Sequence, residues 1–199
     1  MLPAVPRPRA RLDHAAIAAA FAPDGLHGVN AAEVARRAGI AKPTLYAHGR
    51  SKEAVFLACV EAEAERLLAQ LYDADLGTRD LGVAARAGAL ARALIDHAAA
   101  HPDGARLLHV TARHGTSSVA AAVDATLARI PGRIAEALRR DMQEDRAEIA
   151  ATALYGAAVA LALAPPPDPD AAPGLLGQAL AAVAERPDRE EAVTGIGFY

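Results

Sequence analysis

Tryptophan is absent from this 199-residue chain, cysteine occurs once, and aromatic residues make up only 4% of it. The lone Cys59 excludes an intrachain disulfide, so the sequence carries no mark of an oxidising compartment. Strand-like alternation and internal repeats are also missing, which leaves no pattern for a sheet or a solenoid. Apolar residues reach 53%, mostly Ala and Leu. These two lose little on entering a helix, so an all-α protein is expected. The longest apolar run, Ile149 to Ala164, falls short of the ~20 residues a membrane span needs and ends in three prolines. Near the N-terminus, "RPRARLDHAAIAAAFA" places arginines before an apolar run as a signal peptide does, but Asp13 and His14 interrupt it. A cytoplasmic protein with no membrane partner is the expectation.

Charge is divided unevenly. Residues 1–52 hold eight basic side chains against three acidic ones, a net +5, so the remainder carries −8 within a total of −3. A cationic head on an anionic body suits a polyanion bound at one end only.

Pro3, Pro6 and Pro8 make residues 1–9 a basic arm. A first helix is expected from about Arg9 to Ala22, stopped by Pro23, Gly25 and Gly28. Asn30 then caps a helix over 31–38, with Glu33 placed to complete a capping box and Gly39 closing it. A third helix over 42–48 has Pro43 in its first turn, and Ser51 caps a long fourth helix. The apolar stripe of that fourth helix is Val55, Phe56, Cys59, Val60, Leu67, Leu68 and Leu71. Further helices are expected at about 81–100, 103–114, 117–140, 145–164 and 173–186, with Pro131 kinking or splitting the third of these. The total is about nine.

Two short helices joined by "AGIA" outline a helix-turn-helix, whose second helix enters the major groove by its N-terminal end. Lys42, Thr44, Tyr46 and His48 supply a cation, a hydroxyl with a methyl, a phenol and an imidazole there. Asn30 and the Ser51–Lys52 pair stand at helix N-termini, which welcome phosphate oxygens. Arg36 and Arg37 leave two readings open, DNA contact or a solvated helix face.

The elements "F-A-x-x-G", "A-E-V-A-R-R-A-G-I", "K-P-T-L-Y" and "S-K-E-A-V-F" resemble the DNA-binding domain of the TetR family of bacterial transcriptional repressors over residues 12–60. The resemblance implies recognition-helix contacts by Ala41, Lys42, Pro43, Thr44, Tyr46 and His48, with backbone anchoring by Asn30 and Lys52. It implies a three-helix head over 1–52 and a helical effector-binding and dimerisation domain over 53–199. The homodimer would form through the last two long helices and read a palindromic operator. Two positions depart from the family pattern. Val29–Asn30 stands where Thr or Ser is usual, and Gly49 stands where a phenylalanine is usual. Gly49 is therefore expected to end the third helix in a left-handed conformation, at the cost of a core ring.

The body offers little for chemistry. His97 and His101 have the i, i+4 spacing of a shared metal site, but no cysteine or carboxylate set completes it. His114 with Ser117 and Ser118 lacks a nucleophile-elbow pattern. No catalytic residue, metal or cofactor is expected, and Cys59 reads as a structural thiol. The all-round apolar run "IAATALYGAAVALALA" needs cover on every side, and Ala153, Gly156, Ala157 and Ala160 would let a second copy approach closely. The expected function is a ligand-responsive repressor released from DNA by a small apolar effector. The alternative is a small-molecule binding protein whose head no longer binds DNA specifically, with Gly49 as its hint.

Overall fold

The computed structural model describes residues 13–47, 49–111, 117–164, 168 and 170–184. The basic arm, His48, His114 and the 187–199 tail lie outside these residues.

The described residues form ten α-helices and one π turn, with no strand, in keeping with the all-α expectation. The head comprises α1 (His14–Phe21), α2 (Gly25–Gly28), α3 (Ala31–Arg37) and α4 (Lys42–Tyr46). Helix α5 (Lys52–Gly77) leads into the body, which adds α6 (Val83–Ala100), α7 (Pro102–Arg106), a π turn at Leu107–Thr111, α8 (Ser117–Leu138), α9 (Glu144–Leu163) and α10 (Ala172–Ala184).

Three details differ from expectation. Asp13 starts a helix rather than interrupting one, because its carboxylate accepts from the N–H groups of Ala15 and Ala16 at 3.0 and 3.2 Å. Gly25 does not simply end α1. With φ +68° it turns the chain into the extra one-turn α2, which accounts for a helix count above nine. Pro131 lies inside α8 without splitting it, at the cost of one backbone donor. Within the single chain α9 buries one face, with Ala147, Ala150, Ala151, Leu154 and Ala158 packed inward and Ile149 70% exposed, which leaves the other side uncovered.

The N-caps and the Gly39 turn in the head hold as read. Asn30 Oδ1 accepts from Glu33 N–H at 3.0 Å, and Ser51 Oγ from Ala54 N–H at 3.1 Å. Gly39, at φ +67°, closes α3 with paired bonds from Ile40 N–H to Ala35 C=O and from Gly39 N–H to Arg36 C=O. Phe21 and Phe56 meet edge to face at 5.2 Å, joining α1 to α5 in the head core.

The stripe on α5 is less apolar than the sequence suggests, since it also buries Glu63 and Asp75. Asp75 receives Arg140 at 2.5 and 3.0 Å and Arg133 from α8. Burial raises its pKa, but the hydrogen bonds from Arg140 and Arg133 outweigh this and hold it below the ordinary aspartate value. Beside it, fully buried Arg86 of α6 donates to the carbonyls of Thr78, Arg79 and Leu81 at 2.9–3.0 Å and pairs with Asp141. Glu63 faces Arg66 and, 3.0 Å away, His97 Nε2, a contact whose angle falls short of a hydrogen bond. Burial raises the pKa of Glu63, but His97 and Arg66 prevail and lower it. His97 is thus a buried partner of α5, its Nδ1 lying 3.0 Å from Gln70 Oε1. Among the described residues no group of three potential metal ligands occurs.

Both carboxylates have folded pKa values below their unfolded ones, so their stabilisation is present above about pH 4 and fades as pH falls through the lowered values. D75N should cost about 3 kcal/mol, the low end for breaking a buried pair because Arg140 stays half-exposed. Urea unfolding measured from pH 7 to pH 3 should also show the variant losing less stability with acid than the wild type.

Candidate nucleic-acid interface

The turn between α3 and α4 fixes which side chains face outward. Leu45 is fully buried and pins the single turn of α4 to the head core. Ala41, Lys42, Pro43 and Tyr46 consequently lie exposed, and Thr44 is half-buried. These five share one outward-facing segment, while His48 lies outside the described residues.

Alongside Tyr46 a cleft of about 560 Å³ runs between the starts of α3 and α5. Asn30 and Ala31 form one wall, Ser51, Lys52 and Glu53 the other, and Arg50 stands at the rim. Among the described residues Tyr46 and Arg50 have no internal hydrogen-bond or ionic partner, so both remain available to a ligand. Arg50 is the cleft residue that sequence reasoning passed over. Its position directly before the Ser51 cap was the available signal.

The other polar groups are already engaged. Asn30 and Ser51 spend their side-chain oxygens on capping. The Glu53 carboxyl is held below its ordinary pKa, first by its own backbone N–H and then by Ser51. It therefore occupies part of the α5 N-terminus that a phosphate would otherwise use. Glu33 does not reach back to complete the capping box. Instead Arg36 and Arg37 hold it, with bonds of 2.6–2.8 Å, and these bonds lower its pKa to about 2. Arg37 also binds Asp24 at 2.6 Å and the Ala20 carbonyl at 3.3 Å, which makes it a tie between α3 and the end of α1. Arg36 keeps a solvent-facing guanidinium. Lys52, expected to anchor DNA, donates instead to the carbonyls of Leu26 and Val29 at 2.6 and 2.9 Å.

Gly49 corrects a further expectation. Its φ is not left-handed, and no ring is missing beside it. A Cβ at this position would lie 2.8 Å from Val55 Cγ2 and 2.9 Å from Val55 N, inside the first turn of α5. The glycine is needed because the chain passes against that helix, and no cavity waits to be filled.

Residues 15–59, spanning α1 to α5 through this interface, match the bacterial regulatory proteins of the tetR family. The head is a TetR-type DNA-binding domain. No curated relative matches it. A TetR-like transcriptional regulator from Rhodococcus sp. RHA1 is 25% identical, with 92% of this chain and 100% of that one covered at a TM-score of 0.70. The regulator FadR from Bacillus subtilis, solved with stearoyl-CoA, is 12% identical over 86% of this chain and 95% of its own, with a TM-score of 0.67. AibR, solved with isovaleryl coenzyme A and operator DNA, is 18% identical over 85% and 94%, with a TM-score of 0.62. At their identities the last two speak for the fold alone. The family match stops at Cys59, so the body's alikeness is one of architecture.

Gly49→Ala should destabilise the TetR-type head by about 1–3 kcal/mol, since the added methyl meets backbone atoms that cannot rotate away. Chemical denaturation of the full chain measures this, and Gly49→Phe should be worse.

Proposed function

We propose that this chain is a repressor that binds a palindromic operator as a homodimer and leaves it when a small molecule binds the body. The observation that carries the reading is the exposed α4 face, with Lys42 and Tyr46, set beside a cleft whose Arg50 and Tyr46 have no internal partner among the described residues. Ala41, Lys42, Pro43 and Thr44 are placed to meet base edges and nearby phosphates, and Tyr46, Arg50 and Asn30 to line the backbone. The division into a head over 1–52 and a body over 53–199 belongs to the same reading, with α5 shared between them.

The dimer reading rests on α9. Ile149, Ala153, Gly156, Ala160 and Leu163 form an exposed apolar stripe at helical spacing, and Leu175 of α10 is exposed as well. The 20 residues of α9 are long and apolar enough to cross a membrane by length and composition. Glu144, Asp145, Arg146 and Glu148 in its first turns and the small residues along its stripe favour a second copy over lipid. We therefore read a cytoplasmic dimer and no membrane partner. Two recognition helices related by a two-fold axis would then suit a palindrome.

The acyl-CoA complexes of the fold's relatives make an acyl-CoA the effector class to try first. An open hollow of about 440 Å³ lies between α6, α7 and the end of α9, lined mainly by Ala98, Pro102, Ala105, Ala162 and Leu163. Its rim residue Arg106 donates to the Ala22 carbonyl of the head at 3.2 Å, so a ligand that shifts α7 would be felt at α1. The alternative of a head without DNA function loses its only hint, because Gly49 leaves no gap.

Fluorescence anisotropy of the full chain on DNA flanking its own gene provides the test. Lys42→Ala, Tyr46→Ala and Arg50→Ala should each weaken specific binding about tenfold, near 1.4 kcal/mol. The salt slope should become shallower by about one for the two cations and stay the same for Tyr46→Ala. Unchanged affinity in all three variants would sink the assignment, and isovaleryl-CoA or stearoyl-CoA should displace the DNA.

A further inference from the structure

The chain has only two lysines, Lys42 and Lys52, ten residues apart and both in the head. Their surroundings differ. Lys42 is exposed on α4 with no internal partner among the described residues. Lys52 is half-buried and sits in the first turn of the 26-residue α5, where the helix dipole opposes a cation. Its Nζ donates to Leu26 O at 2.6 Å and to Val29 O at 2.9 Å. Two of its three N–H groups are thereby committed to carbonyls at the end of α2, where the partial charge is negative. Those carbonyls stabilise the ammonium without any help from DNA.

We infer that Lys52 is a positioning residue for operator binding, a strut that ties the start of α5 to the chain entering α3. The reading rests on the DNA-binding role proposed above and assigns Lys52 a different part in it from Lys42. Val29 directly precedes Asn30, the residue that caps α3. Leu26 and Val29 are themselves buried, so the acceptor carbonyls are fixed in place. Asn30 and Ala31 form one wall of the 560 Å³ cleft and Ser51 to Glu53 the other. Lys52 bridges these walls, and its bonds set their separation. The contact charge at this cleft is Arg50, and on α4 it is Lys42.

The two-lysine composition makes a direct test possible on the unmodified sequence. Reductive methylation of the free full-length protein with labelled formaldehyde would give two side-chain signals in an NMR spectrum. Lys42 should react quickly and become protected when operator DNA is bound. Lys52 should react at least several-fold more slowly in the free protein, with no further protection from DNA. A Lys52 that methylates as fast as Lys42 and is shielded only by DNA would overturn the inference. The second arm uses Lys52→Met, which keeps the aliphatic stem and removes the donors. In the free protein it should speed amide exchange in α3, and on DNA it should weaken binding several-fold with an unchanged salt slope. Lys42→Met should instead lower the slope by about one. A slope lowered by one in Lys52→Met, with amide exchange unaltered, would make Lys52 a phosphate contact. If no variant and no wild-type protein binds DNA, the proposed function fails, while the methylation and exchange results in free protein still decide whether Lys52 is a strut.

Discussion

Two carboxylates on the inward face of α5 organise most of this molecule. A buried carboxylate is costly unless it is paired and hydrogen-bonded; Glu63 is met by Arg66 one turn on and faces the His97 ring, and Asp75 is met by Arg133 and Arg140. Asp75 gathers Arg133 and Arg140 from α8 and its flank and lies beside Arg86 of α6. Glu63 faces His97 of α6, and α7 closes over it at Gly104, where a Cβ would fall 2.8 Å from Glu63 Cγ. These contacts lie where α6, α7 and α8 meet α5. The apolar stripe alone would tolerate several rotations of those helices about α5, whereas the ion pairs accept few.

Because α5 also buries Val55 and Phe56 in the head, these charges tie the body to the DNA-facing end. The head itself is small, and its stability comes from end groups as much as from core area. Asp13, Asn30 and Ser51 cap three helices, Arg37 ties α3 to α1, and Gly49 lets the chain cross against α5. Several cations that look available for DNA in a charge count are spent in this way. Arg37 is held by Asp24 and Glu33, and Lys52 by two carbonyls. Among the described residues of the head, Lys42 and Arg50 have no internal partner and Arg36 keeps a solvent-facing guanidinium.

Local order was written plainly in the chain. Helix caps, the Gly39 turn, Pro43 in a first turn and the i, i+3, i+4 stripe of α5 act over a few residues, so residue type and spacing determined them, together with the all-α class and the outward Lys42–Tyr46 segment. Whatever depends on residues far apart was decided only by the tertiary structure. Lys52 meets carbonyls 26 and 23 residues away, Arg133 and Arg140 reach Asp75 across 58 and 65, and nothing in the local spacing marks these partners. Gly49 shows the same limit from the opposite side. Its sequence neighbours suggested a lost ring, but the residue is dictated by the backbone of Val55, which the folded chain brings within contact distance. Periodicity and capping are short-range physics and survive in one dimension, whereas burial, charge pairing and close approach exist only once the helices have packed.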